Sequence, residues 1–223
     1  MEQLPFYIPV TFILTALLTL FFLYKASKQS IALIGVAIGW LLLQGLLALR
    51  GFYTQQLPSP RFLLLPGIPL LFLVVSQLLP KGRQFTGGFS LQWLTWLHTV
   101  RILVELVLFW LYQHKQVPRL MTFEGRNFDV LSGLSAPVVA YFAFRTPVVN
   151  RKLLLVWNIL CLGLLLNIVI NASLSAPVPM QQFAFDQPNV AVLYFPFIWL
   201  PCFIVPTVLL AHVVAIRKLY LHL

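Results

Sequence analysis

The sequence predicts an all-α integral membrane protein, a bundle of seven transmembrane helices that forms a single domain over residues 1–223. Two observations support this fold class. Hydrophobic residues make up 60% of the chain and charged residues only 9%, with a mean hydropathy of +0.91. Such a chain has too little polar surface for a water-soluble domain, in which about 25% of residues are charged. Apolar runs also recur along the whole chain, and because an open sheet cannot cross lipid, we expect them to form helices.

Each predicted helix follows from an apolar run bounded by polar or basic residues. About 20 apolar residues are needed to cross ~30 Å of hydrocarbon at ~1.5 Å per residue. Six runs approach that length, and a shorter one lies between the fourth and the fifth of them. With this short run included, the predicted helices cover approximately 5–24, 31–49, 62–79, 91–112, 127–144, 153–170 and 190–216.

The basic residues between the helices predict the orientation of the chain. Lys and Arg are enriched in cytoplasmic loops, where they also contact anionic lipid headgroups. With the N-terminus outside, nine basic residues fall in inner segments and five in outer segments, so the predicted orientation is N-out and C-in. The inner residues are Lys25, Lys28, Lys81, Arg83, Arg145, Arg151, Lys152, Arg217 and Lys218, and the outer ones are Arg50, Arg61, Lys115, Arg119 and Arg126.

Residues Met121–Gly133 concentrate charge at the start of the predicted fifth helix, although the whole chain has only five acidic residues. The apolar run Val130–Phe144 would make only roughly 22 Å of helix, so we expect the helix to begin earlier, near residue 127. In one interpretation the polar side chains cap the free amides of this helix. A cap needs only one such residue, so in the other interpretation they form a polar rim on the outer side. This rim consists of Glu124, Arg126, Asn127 and Asp129.

The fourth predicted helix carries ionisable residues at membrane depth. His98, Arg101 and Glu105 are separated by three and four residues, which places them on one helix face. Such residues are costly in lipid and normally face a bundle interior or a water-filled cavity. In the structural interpretation, Arg101 and Glu105 form an intrahelical ion pair. In the functional interpretation, these residues bind a ligand or carry protons. Charged residues within a membrane usually mark functional sites, which favours this interpretation.

The sixth predicted helix adds asparagines. Asn167 and Asn171 share a face in its outer half, where they could join the mouth of the fifth helix. Asn158 points nearly opposite Asn167. We expect its side chain to form a hydrogen bond to a neighbouring helix, which contributes about 1 kcal/mol. The predicted substrate-binding residues are therefore His98, Arg101, Glu105, Asn167 and Asn171.

Small residues and prolines indicate where helices associate and bend. Gly35 and Gly39 form a GxxxG motif, and this face is the predicted contact for a homo- or hetero-oligomer. Pro196, Pro201 and Pro206 fall in the seventh predicted helix. Because each internal proline removes a backbone hydrogen bond and favours a kink, we expect this helix to be the moving part.

The spacing of ligand-type residues argues against a metal centre. His98 and Glu105 lie about 10 Å apart along a helix, too far to chelate one ion, and Arg101 between them would repel a cation. We predict neither a metal nor a cofactor, and the alternative cofactor is a b-type haem held by His98 and His212. The net charge of +10 lies almost entirely in short loops, so no nucleic-acid role is predicted.

The function predicted from these features is the binding and translocation of a small polar or charged solute through an outward-opening polar cavity. Arg101 would anchor the solute, Glu105 would couple it to protons, and the rim would admit it. An embedded enzyme acting on a lipid-linked or hydrophobic substrate would use the same cluster, with Glu105 or His98 as general base. A non-catalytic subunit or sensor is the third possibility. In this third case the polar face would dock another membrane protein. The predicted partners of the protein are the bilayer and a small polar or lipid-like ligand, in a bacterial inner membrane or a plasma membrane.

Overall fold

The computed structural model describes residues 4–55 and 60–220, and within these ranges every regular element is helical. The predicted all-α class is therefore confirmed. The α-helices are α1 (Tyr7–Ala26), α2 (Ile31–Leu49), α3 (Leu64–Leu78), α4 (Pro80–Gly87), α5 (Leu91–Leu97), α6 (Val100–Gln113), α7 (Val130–Phe144), α8 (Arg151–Ser175) and α9 (Val205–Tyr220). Short 3-10 turns cover Pro60–Leu63, Arg119–Met121 and Ala191–Leu193, and a π-helical turn covers Leu200–Ile204.

Six helical segments of the described chain are long and apolar enough to cross a membrane. They are 18 to 25 residues long, close to the ~20 residues that a bilayer requires. These segments are α1, α2, α3 with the turn before it, α5 with α6, α8, and the π turn with α9. The apolar α7 has 15 residues and is shorter than all six.

The spans differ in how deeply they lie in the bundle. The span formed by α5 and α6 and the span that ends in α9 are each 61% buried, whereas those of α2 and α3 are 22% and 17% buried. Large apolar side chains of α2 and α3, such as Leu42 and Leu71, are exposed, as expected of helices that face lipid. The two central spans carry the buried residues His98, Arg101, Glu105 and His212.

The fourth span is broken, although the sequence predicts one continuous helix over residues 91–112. α5 ends at Leu97 and α6 begins at Val100. Between them the N–H groups of His98, Thr99, Arg101 and Ile102 each donate to the carbonyl three residues earlier. Such a tightened turn inside a helix rotates the residues that follow it, and it often marks a functional position.

The last span begins at the π turn Leu200–Ile204, and the prediction of a helix from residue 190 is wrong. Pro196 has no N–H to donate and disfavours the helical conformation of Phe195, and residues 191–198 form a 3-10 turn and irregular turns instead. Pro206 leaves the carbonyl of Cys202 without its helical donor. The indole Nε1–H of Trp40 donates to this carbonyl at 2.9 Å and so ties α2 to the last span.

The eighth helix is longer than the predicted range 153–170, and it begins and ends on polar residues. Asn150 caps its start, because the Oδ1 atom accepts from the N–H of Leu153 at 3.1 Å. At the other end Asn171, Ser173 and Ser175 donate to carbonyls of their own helix. These local bonds satisfy the polar side chains of the last turns, and the helix continues past the apolar run to Ser175.

Glycines show where helices approach closely and where they do not. A Cβ atom on Gly133 of α7 would lie 2.9 Å from the backbone nitrogen of Ile102, so α6 and α7 are in backbone contact there. By contrast, a Cβ atom on Gly35 or Gly39 would meet no atom of the described chain within 4 Å. The GxxxG face is thus unused inside the bundle, and the oligomer predicted through it stays a prediction.

Candidate functional site

The guanidinium of Arg101 lies at the centre of the buried polar residues. It donates through Nε to Oδ2 of Asp129 at 2.6 Å and through Nη2 to Oδ1 of the same carboxylate, a bidentate ion pair. Nη2 also donates to the carbonyl of Cys161 at 3.2 Å, and Nη1 lies 3.1 Å from Nε2 of His212. Because these partners belong to the turn before α7, to α8 and to α9, one side chain of α6 connects three other elements.

The predicted ion pair between Arg101 and Glu105 is not formed among the described contacts. Arg101 pairs instead with Asp129, which is 28 residues away in the chain. The planar guanidinium suits a bidentate carboxylate, and a carboxylate from another helix can present both oxygens to it. The ion pair therefore fixes the turn before α7 against α6.

His212 continues the polar chain to α8. Arg101 can only donate, so Nε2 of His212 must accept, and the ring proton is then on Nδ1. That nitrogen lies 2.9 Å from Oδ1 of Asn158, which accepts its proton, and the Nδ2 atom of Asn158 donates to the carbonyl of Leu154 at 2.8 Å. The predicted interhelical hydrogen bond of Asn158 is thus present. We call Asp129, Arg101, His212 and Asn158 the Arg101 network.

His98 lies beside this network on the broken segment between α5 and α6. Its ring stacks on that of His212 with a centroid distance of 4.1 Å, and it meets Trp157 edge-on at 5.2 Å. Nδ1 of His98 is buried and has no partner among the described residues. The two stacked rings do not fit bis-histidine haem ligation, which needs each ring to direct a nitrogen at the iron from opposite faces of the macrocycle. Both nitrogens of His212 also have polar partners already.

The predicted rim separates into two buried and two exposed residues. Glu124 and Arg126 are exposed, whereas Asn127 and Asp129 are buried. Nδ2 of Asn127 donates to Oε1 of Glu105 at 2.5 Å and to the carbonyl of Met121 at 3.0 Å. Its Oδ1 accepts from the N–H of Asp129 at 3.0 Å.

These contacts explain why α7 begins at Val130 and not near residue 127 as predicted. Asp129 occupies the cap position, but its side chain makes no capping hydrogen bond because both oxygens bind Arg101. Asn127 forms a local turn with the N–H of Asp129, which keeps the chain out of helical geometry there. The side-chain capping interpretation is therefore wrong for Asn127 and Asp129.

Asn167 and Asn171 lie in the second half of α8, one exposed and one buried. Nδ2 of Asn167 donates to the backbone carbonyl of Arg126 at 2.8 Å, so this residue does reach the rim. Nδ2 of Asn171 donates to the carbonyl of Asn167 at 2.9 Å and stays on its own helix. No described contact joins either side chain to Arg101 or Glu105.

A cleft of about 80 Å³ lies against Glu105, between α3, α6, α8 and the last span. Its lining is mostly apolar, and its polar side chains come from Glu105, Asp129, Ser173 and Asn189. We call this space the Glu105 cleft. It adjoins the Arg101 network through Asp129, which belongs to both. Within residues 4–55 and 60–220, no group of three or more His, Cys, Asp or Glu side chains could hold a metal ion.

Comparison with known protein families identifies the family of this chain. The model of a family described as a domain of unknown function (DUF8737) matches residues 59–220, more than two thirds of the sequence. The chain belongs to this family. The match includes every residue of the Arg101 network and of the Glu105 cleft, while α1 and α2 lie outside it. No curated protein and no solved structure matches the chain.

The DUF8737 site also contains residues that the sequence did not assign to substrate binding. Asn158 and His212 complete the network, and Asn189 lines the cleft. The signal for His212 was present, since a histidine within an apolar run is costly unless it has a polar partner. Asn189 gave no comparable signal because it precedes the helix that the sequence predicted. Its burial depends on the loop, where its N–H donates to the carbonyl of Ser175 at 2.8 Å.

Proposed function

We propose that this protein binds a small polar or charged solute in the Glu105 cleft and translocates it across the membrane, with Glu105 coupling the movement to protons and the Arg101 network holding the helices around the cleft. The observation that carries this proposal is the continuous buried chain from Asp129 through Arg101 and His212 to Asn158. Its four members come from four different elements of a bundle with six candidate spans. Linked ionisable residues at membrane depth are the usual means of moving ions or protons through such proteins.

The contacts of Arg101 change the roles assigned within this proposal. A solute could anchor on Arg101 only by displacing Asp129, His212 or the carbonyl of Cys161. We therefore assign the anchor to Glu105, which lines the cleft and keeps one carboxylate oxygen free of described partners. Asn127 orients Glu105, and the exposed Glu124 and Arg126 remain the proposed outer rim.

The proposal includes seven crossings with the N-terminus outside, in a bacterial inner membrane or a plasma membrane. α7 packs against α5, α6 and α8, which supports a crossing inside the bundle despite its 15 residues. The excess of basic residues in the loops assigned to the inside supports the orientation. In this orientation Glu105 lies in the outer half of its span, roughly 12 Å from the end of α6, and a solute would enter from outside.

The test is an uptake screen in proteoliposomes, with labelled cations, anions and neutral polar solutes, with and without an imposed pH gradient. The wild-type protein is expected to accumulate one class of solute in a gradient-dependent way. The double variant Arg101→Leu/Asp129→Leu is expected to fold, because it removes both charges together, and to lose uptake. The matched control is Asp186→Asn, which removes an exposed carboxylate outside the network.

Normal gradient-driven uptake by a well-folded double variant would contradict the proposed role of the network and leave a structural ion pair.

A second candidate function is an embedded enzyme for a hydrophobic substrate, which the mostly apolar lining of the Glu105 cleft favours. This candidate predicts covalent change of a lipid-like substrate without a gradient. Mass spectrometry of lipids incubated with the wild-type and Glu105→Gln proteins would show it.

A further inference from the structure

Two hydrogen-bond acceptors in the Glu105 cleft have no donor among the described residues. They are Oε2 of Glu105 and Oδ1 of Asn189, whose side chains are 2% and 0% exposed. The second polar atom of each side chain is already engaged. Oε1 of Glu105 accepts from Asn127, and Nδ2 of Asn189 donates to the carbonyl of Ala172 at 3.3 Å. A buried acceptor without a donor raises the free energy of the folded protein. A ligand that donates hydrogen bonds to these two oxygens would remove this cost.

The charge of the cleft is also unbalanced. Asp129 is neutralised by Arg101, whereas Glu105 is in no described ion pair and accepts a hydrogen bond from the neutral amide of Asn127. No lysine or arginine lines the cleft among the described residues. A cation that donates hydrogen bonds would therefore satisfy the geometry and the charge at once.

The remaining lining defines the rest of the ligand. Apolar side chains from all four walls, among them Pro66, Leu108, Ile168 and Leu200, surround the two acceptors. Pro66 of α3 and Val169 of α8, which also line the cleft, are half-buried. A ligand with an apolar body would bury part of that body here.

We propose that the Glu105 cleft binds a protonated amine carried on an apolar body, with the ammonium donating to Glu105 and Asn189. This inference rests on the proposed function, because it names the substrate class of the same site. It explains why an acidic side chain lies in an apolar cleft while the nearest arginine pairs elsewhere. An ammonium group has three donors, enough for both acceptors and a water molecule.

The test is equilibrium binding to the purified full-length protein in nanodiscs without any gradient. Four probes share one rigid apolar body and differ only in the head: 1-adamantylamine, 1-adamantanol, adamantyltrimethylammonium and 1-adamantanecarboxylate. We expect saturable binding of the amine, at least about tenfold tighter than that of the other three. The alcohol donates a hydrogen bond but has no charge, and the quaternary cation has a charge but no hydrogen-bond donor. Comparing each with the amine therefore separates the requirement for charge from the requirement for a donor.

Glu105→Gln is expected to weaken amine binding by about tenfold or more, because it removes the charge and keeps the acceptor for Asn127. Asp186→Asn removes an exposed acid outside the cleft and should bind the amine like the wild type. Thermal unfolding confirms that each variant is folded. Equal binding of all four probes, no binding of the amine, or full amine affinity in Glu105→Gln would each overturn the inference.

The uptake screen separates this inference from the proposed function. A protein that binds the amine through Glu105 but transports no solute contradicts translocation and supports the assigned ligand class. A protein that transports another solute while showing no Glu105-dependent affinity for the amine contradicts the ligand class alone. Because binding is measured without a gradient and uptake with one, the two results do not depend on each other.

Discussion

The Arg101 network and the Glu105 cleft are neighbouring polar regions of one bundle, yet they differ in how their polar groups are satisfied. In the network, Arg101 has partners on three elements, and both nitrogens of His212 are paired. In the cleft, Glu105 and Asn189 each keep an acceptor without a described donor. Satisfied groups fix helices in place, whereas unsatisfied ones are suited to a ligand. The network therefore supports the bundle, and the cleft is the place to look for a substrate.

The largest expected effect is that of removing one charge from the network. Asp129→Asn leaves the buried guanidinium of Arg101 without its counterion, and we expect a loss of about 3–5 kcal/mol in the free energy of unfolding. Urea unfolding in lipid–detergent micelles measures it. The matched variant Asp186→Asn changes an exposed carboxylate and should shift stability by less than about 0.5 kcal/mol. Equal stability of the two variants would show that Asp129 does not compensate Arg101.

This ion pair also shows where sequence reasoning reached its limit. The helical class and most spans follow from apolar runs, since hydrophobicity and length alone determine what can cross lipid. The depth of His98, Arg101 and Glu105 follows from the same runs. The partner of Arg101 does not, because a residue four positions away on the same helix is an obvious candidate while Asp129 is close only in the folded bundle. Proline positions predicted a distortion in the last span but not where its helix begins.

A second prediction tests whether close packing of α6 and α7 holds the network in register. Gly133→Ala adds a Cβ atom that would lie 2.9 Å from the backbone nitrogen of Ile102, so the helices must separate. We expect a loss of about 1–3 kcal/mol from this overpacking. Gly163→Ala is the control, because a Cβ atom there meets nothing described within 4 Å. If both substitutions leave thermal stability unchanged, close packing at Gly133 does not hold α7 against α6.

A third prediction concerns the end of the network. Asn158→Leu removes the acceptor for Nδ1 of His212 but leaves the Arg101–Asp129 pair intact. We expect a loss of about 1 kcal/mol, typical of a single polar contact between membrane helices. Asn171→Leu removes bonds within one helix only and should cost less. A loss in the free energy of unfolding as large as that of Asp129→Asn would mean that the hydrogen bonds of the network are strongly coupled and do not contribute independently.

The smallest expected effect on stability is in the cleft, at Glu105. Glu105→Gln preserves the oxygen that accepts from Asn127 and removes a buried carboxylate that is in no described ion pair. We expect stability to change by less than about 1 kcal/mol, in the stabilising direction, because a neutral amide is less costly to bury than an unpaired carboxylate. The same denaturant series measures this change, and Glu124→Gln provides the exposed reference.

A loss of stability as large as that of Asp129→Asn would place Glu105 in the supporting network and remove the distinction between the two regions. A stable variant with weakened amine binding would instead show that the bundle keeps an uncompensated carboxylate for a ligand and not for its own fold.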